Sequence, residues 1–179
     1  MRAVREKRLV FIDESFCKTG MCREFGWDLR GERVRGMRPF RSWKTVALIG
    51  AIRLGAKPKL MTYPGSVNGD VFVEFVRTRL VPWLRRGDVV VMDNLNIHKM
   101  RVVRSAIEAA GATPVYLPTY SPELNPIELL WADLKRDLRT LAINDEVQLR
   151  RAVRRLRRRV PTSKVAAWFG HALAHSRIN

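Results

Sequence analysis

Apolar residues in this chain cluster in short runs, and the spacing inside those runs changes along the sequence. Leu9-Val10-Phe11-Ile12 is β-rich, ends in Asp13 and Glu14, and reads as a buried strand. Residues 20–42 are rich in Gly and Arg, with weak strand signals around Arg33 to Arg35, and predict a twisted hairpin. Thr45 to Ile52 is a second strand, and Leu60 to Tyr63 a third, closed by Pro64-Gly65. The period then shifts. Val71, Phe72, Phe75, Val76 and Leu80 recur at three- and four-residue steps, so Asp70 to Leu84 predicts a helix with one apolar face. Gly87-Asp88 turns into Val89-Val90-Val91-Met92, wholly apolar as in the centre of a sheet. Lys99 to Ala110 predicts a helix and Thr113 to Leu117 a strand.

Beyond the proline-rich stretch Pro118 to Pro126, Asn125 suits a helix N-cap with Pro126 at the first helical position. Ile127, Leu130, Trp131, Leu134 and Leu138 share one side of the helix that follows. Gln148 to Val160 sets Leu149, Val153, Leu156 and Val160 on one seam among seven arginines, and Lys164 to His175 reads as a last short helix. Early strands followed by alternating helix and strand predict an α/β fold: a mixed sheet flanked by helices, with basic helices at the C-terminus. The expected division is 1–143 for the sheet-bearing domain and 144–179 for a basic helical extension.

At 179 residues and 46% hydrophobic content, the chain can bury one ordinary core. Charge changes the picture more. Thirty-four Lys and Arg against 17 Asp and Glu leave +17, an excess that suits a polyanion and points to nucleic acid. Cys17 and Cys22 lack a second cysteine pair to complete a zinc site, and a disulfide scaffold is excluded by number. No apolar run approaches the roughly 18 residues that span a bilayer. The charged start, Met1 to Arg8, is unlike a signal peptide, so a cytoplasmic location is expected.

Asp13 and Asp93 each follow an apolar strand run, where ligand sites gather in open α/β sheets. Two such carboxylates brought together repel unless a cation lies between them, and Mg²⁺ prefers oxygen ligands of this kind. An Asp at a strand exit also has an ordinary turn role. Glu128 supplies a third acid, although Asn125 and Glu128 have the spacing of a capping box, which would use Glu128 to hold a helix end.

The run Tyr120-Ser121-Pro122-Glu123-Leu124-Asn125-Pro126-Ile127-Glu128, followed by Leu130-Trp131 and Lys135, resembles the signature of mariner-superfamily transposases, with the bacterial insertion-sequence branch nearest. Phe11-Ile12-Asp13-Glu14-Ser15 resembles that family's first acidic motif, and Val91-Met92-Asp93-Asn94 with His98-Lys99 its second. The 34 residues between Asp93 and Glu128 match the family's interval. The resemblance covers roughly residues 9–140.

It implies a ribonuclease H-like fold in which Asp13, Asp93 and Glu128 hold two Mg²⁺ ions, with Mn²⁺ able to substitute. Those ions would clamp a DNA phosphate for cleavage by water or for transfer to a DNA 3′-hydroxyl. DNA is the implied partner, bound by a homodimer or larger assembly. His98, Lys99 and Lys135 are candidate phosphate contacts, with a helix-start role equally open for His98-Lys99. Arg151, Arg154, Arg155 and Arg158 of the arginine-rich helix are further candidates, against a solvated face. Glu14 and Glu123 read as solvated or turn acids, and Trp131 as core.

Members of the resembled family carry a helix-turn-helix region ahead of the first acidic motif. This chain starts almost at that motif, so end recognition is expected from a separate subunit or a frameshift fusion partner. Two other readings stay open: a DNA-binding regulator of transposition that does not cut, and a ribonuclease H-like cellular nuclease or resolvase.

Overall fold

The computed structural model describes residues 6–26, 29–31, 35, 44–118 and 121–175. The hairpin expected over 20–42 lies largely outside the described residues. The first apolar run does not stop at its acids: strand β1 spans Leu9–Lys18. Strand β2, Thr45–Arg53, pairs antiparallel along it, from Val10 opposite Arg53 to Lys18 opposite Thr45. With that ladder satisfying backbone donors and acceptors, Asp13 and Glu14 are carried inside the strand. The expectation that Asp13 follows a strand end is corrected accordingly.

Strands β3 (Lys59–Pro64), β4 (Val89–Met92) and β5 (Thr113–Tyr116) complete the sheet. The order is β3-β2-β1-β4-β5, with β4 parallel to β1 and β5, and β2 antiparallel to β1 and β3. The mixed α/β sheet expected from the pattern is present.

Side-chain alternation sorts the sheet into two apolar faces. Val10, Ile12, Ile49, Ala51, Val90 and Met92 face helix α1 (Gly69–Phe75) and helix α2 (Arg101–Ala109). Phe11, Cys17, Leu48, Ile52 and Val91 face helices α3 (Ile127–Leu141), α4 (Glu146–Arg159) and α5 (Thr162–His175). Burial on both sides explains why the runs around Phe11 and Val91 are continuous rather than alternating.

The long helix expected from Asp70 to Leu84 changes its hydrogen bonding partway. After α1 the chain widens into a π-helical stretch, Val76–Leu80, and tightens to a 3₁₀ turn, Val81–Trp83. Pro82 lacks the N–H that would bond back four residues, and its ring crowds that carbonyl. Asn68 caps the start, its Oδ1 accepting from Val71 N at 3.0 Å.

The basic C-terminal helices pack on the core they share with α3. Leu149, Ala152 and Val153 of α4 are buried with Val165, Trp168 and Phe169 of α5. Phe169 meets Phe11 edge-on at 5.4 Å between ring centroids. At the start of β4, buried Asp88 binds Arg53 through two contacts of 2.8 and 3.1 Å, tying the end of β2 to β4. Among the described residues no helix is long and apolar enough to cross a membrane.

Candidate active site

β1 outruns its parallel neighbour. Its pairing with β4 ends at Phe11 opposite Val91, and two further steps along both strands bring position 13 level with position 93. Asp13 thus projects where β4 has ended, and Asp93 leaves the tip of β4. Glu128 arrives from elsewhere, in the first turn of α3. Asp13, Asp93 and Glu128 line one cavity of about 430 Å³, closed by Leu95, Pro118 and Asn125 among others.

Asp13 is buried, and its Oδ2 accepts a hydrogen bond from Trp131 Nε1 at 3.0 Å. Burial pushes its carboxyl up to about 7; the Trp131 bond opposes this, while the Glu128 and Glu14 charges add to it. The Trp131 ring reaches this position because Gly50, opposite Asp13 in the ladder, has no side chain. Trp131 is core, as expected, and is also the partner of an acid.

Asp93 is partly exposed, and its Oδ1 pairs with His98 Nδ1. His98 Nε2 donates to Glu14 at 2.9 and 3.0 Å. Burial works against a charge on His98, but the hydrogen bonds to Asp93 and Glu14 outweigh it and carry the ring to about 10. It is an imidazolium at neutral pH. His98 is 0% exposed with both ring nitrogens engaged, so the expected phosphate contact is corrected: this side chain does not reach the surface. Glu14, read as a solvated acid, is corrected too, since its side chain is 13% exposed and ion-paired. Neighbours in a strand point to opposite faces, so Glu14 turns away from Asp13 into the apolar side of α1 and α2. An acid placed there needs a partner.

The Glu128 side chain is exposed and makes no hydrogen bond among the described residues. The capping box does not form, because Asn125 N donates to Pro122 O at 3.0 Å instead of to the Glu128 carboxylate. Asn125 still holds the helix start through its own carbonyl, which accepts from Glu128 N at 3.1 Å. Tyr120 of the signature lies outside the described residues.

The basic candidates scatter around this centre. Lys99 is exposed beside the 94–98 turn. Lys135 stands 5.3 Å over the ring of Phe16, a half-exposed residue that the sequence reading did not single out. On α4, Arg150 and Arg157 turn inward, to Thr62 at 3.3 Å and to Pro58 O at 3.0 Å. Arg151, Arg154, Arg155, Arg158 and Arg159 instead line one open depression and have no carboxylate partner among the described residues.

The sequence model for DDE superfamily endonucleases matches residues 8–150. The chain belongs to this family. It is 32% identical over 111 residues to the insertion element IS630 uncharacterized 39 kDa protein of Shigella sonnei, an alignment covering 60% of this chain and 32% of that protein. Its fold matches the Mos1 strand transfer complex with a TM-score of 0.72 at 17% identity, over 92% of this chain and 51% of that one. It also matches the mariner Mos1 paired end complex with Mg, with a TM-score of 0.67 at 17% identity, over 92% and 53%. The chain therefore spans about a third of the IS630 protein and about half of the Mos1 chains. The architecture is the ribonuclease H-like fold of transposase catalytic domains.

The donor set of this DDE endonuclease domain suits a hard divalent cation. Carboxylates of Asp13, Asp93 and Glu128 line one cavity, and burial and neighbouring negative charge push the Asp13 carboxyl up to about 7, a penalty that a cation would relieve. Among the described residues, no three His, Cys, Asp or Glu side chains lie together as a ready metal cage. The Asp13 and Asp93 carboxylates are each held by a side-chain partner, whereas the Glu128 side chain is exposed.

Proposed function

We propose that this chain is the catalytic part of an insertion-sequence transposase, cutting and joining DNA by in-line phosphoryl transfer at Asp13, Asp93 and Glu128. One observation carries the reading: acids from β1, the tip of β4 and the start of α3 line the same cavity. Asp13, Asp93 and Glu128 would hold Mg²⁺, or Mn²⁺ in its place, which would supply charge stabilisation at the phosphate and lower the pKa of the attacking hydroxyl.

The chain's own side chains set the stage for that chemistry. Trp131 holds one oxygen of Asp13 from the α3 side, and His98 holds one oxygen of Asp93 from below the sheet. The exposed Glu128 side chain would engage once DNA and cation arrive. No Ser, Cys or Tyr nucleophile is required, since water or a DNA 3′-hydroxyl attacks directly. Lys99, Lys135 and the outward arginines Arg151, Arg154, Arg155 and Arg158 are assigned to phosphate contacts, consistent with +17 overall. Their role is to position backbone, not to read sequence.

The test is cleavage of DNA bearing element ends, with Mg²⁺ or Mn²⁺, by the wild-type chain and by Asp93→Asn. The substitution should abolish metal-dependent nicking and leave DNA affinity nearly unchanged. Full nicking by Asp93→Asn would overturn the assignment. DNA binding without any cleavage by the wild type would favour the regulatory reading.

A further inference from the structure

His98 is fully enclosed, yet it does not belong to the cavity that Asp93 lines. Several parts of the fold fix its ring. Glu14 of β1 receives Nε2, Asp93 receives Nδ1, and the Phe72 ring of α1 packs against it at 4.6 Å between centroids. Its backbone is held as well: His98 N donates to Leu95 O at 3.1 Å, and Tyr116 of β5 donates its hydroxyl to His98 O at 3.2 Å. The imidazole has no freedom left.

The effect on Asp93 is specific. Oδ1 accepts from His98 and, at 3.4 Å, from Leu95 N, so the carboxylate cannot rotate freely about its last bond. Oδ2 has no hydrogen bond among the described residues, and the side chain is 40% exposed at the cavity wall. One oxygen is anchored and the other is on offer.

We propose that His98 and Glu14 are positioning residues for Asp93: the chain Glu14–His98–Asp93 orients the Asp93 carboxylate so that Oδ2 faces the cavity ready for a divalent cation. The inference rests on the reading of Asp93 as a cation ligand. Partners one shell out commonly orient metal-binding side chains in this way, and losing them costs roughly 10- to 100-fold in metal affinity. Here the geometry adds a further link. Asp13 and Glu14 are adjacent in β1 and face opposite sides of the sheet, so one strand sets Asp13 directly and Asp93 through His98. Any shift of β1 against β4 is felt by both acids.

The rival explanation is a buried ion pair that merely holds the 93–98 turn in place. It predicts lost stability without lost cation affinity. The experiment is Mn²⁺ titration of the full chain, read by electron paramagnetic resonance well below the melting temperature, for wild type, His98→Ala, Glu14→Ala, Glu14→Gln and Asp93→Asn. His98→Ala and Glu14→Ala should bind Mn²⁺ about 10- to 100-fold more weakly. Glu14→Gln keeps an acceptor for Nε2–H and should recover affinity to within about threefold of wild type. If His98→Ala does not fold, Glu14→Ala carries the test, because its side chain lies nearer the surface. Folded alanine variants with wild-type Mn²⁺ affinity would overturn the positioning role while leaving Asp93 as a ligand. A wild type that binds no better than Asp93→Asn would overturn the cation reading itself.

Discussion

Gly50 stands opposite Asp13 in the β1–β2 ladder, and a Cβ there would lie 2.6 Å from Cη2 of Trp131. The absent side chain is the space into which the indole settles, and from there Nε1 reaches Asp13. Gly50→Ala should therefore displace the ring, at a cost of about 1–3 kcal/mol for overpacking, and reduce cleavage at least roughly tenfold. Combining it with Trp131→Leu should relieve the clash but not restore activity, because the donor is gone. Thermal melts and nicking rates on the same samples check both halves.

Trp131→Phe keeps most of the packing and removes only the N–H. That hydrogen bond favours the charged form of Asp13, so without it the carboxyl should titrate above its present value of about 7. Mn²⁺ binding, which needs the carboxylate, should then weaken at pH 7 and recover at higher pH. A pH profile of binding identical to wild type would count against the role given to the indole.

Asp13 should make the metal-free protein less stable as pH rises. Its carboxyl titrates near 7 in the fold against 3.8 as the ordinary value, so the native state binds the extra proton between these limits. The contribution is whole below about pH 4 and is lost as pH climbs through about 7. Asp13→Asn cannot ionise. Without divalent cation it should be more stable than wild type at pH 8, by up to about 4 kcal/mol, and little different at pH 4. Urea denaturation in chelator at both pH values measures the difference.

Asp88 and Arg53 form a buried bidentate pair at the other end of β4 from Asp93. Asp88→Ala leaves a guanidinium in the core without its counterion and should cost about 3–5 kcal/mol. Replacing both partners by apolar residues should recover much of that loss. Chemical denaturation of the single and double variants decides it.

Changing Arg151, Arg154, Arg155 and Arg158 together to Gln should weaken DNA binding equally for specific and random sequences. Each lost phosphate contact lowers the slope of log affinity against log salt by about 0.9. Mn²⁺ affinity should not change, since the depression these arginines line shares no residue with the acidic cavity. An unaltered salt slope would mean that the face is merely solvated.

Much of the fold was legible along the chain. The apolar runs ending near Ile12, Ile52 and Met92, and the three- and four-residue spacing from Ile127 to Leu138, mark elements by local periodicity alone. The acids Asp13, Asp93 and Glu128 could be singled out by their motifs and their separation. The π-helical widening before Pro82 could not, because hydrophobic spacing reports a face and not a hydrogen-bonding pattern.

What the sequence determined by itself is which residues are apolar, which are acidic and how far apart they stand, and from these follow the strands, the helices and the family. Only the tertiary structure decided that β1 runs past Asp13, that Glu14 and His98 meet across 84 positions, and that Gly50 makes room for Trp131. Those are contacts between segments distant in the chain. Their existence depends on ladder register and on which face each side chain takes, and no local propensity encodes either.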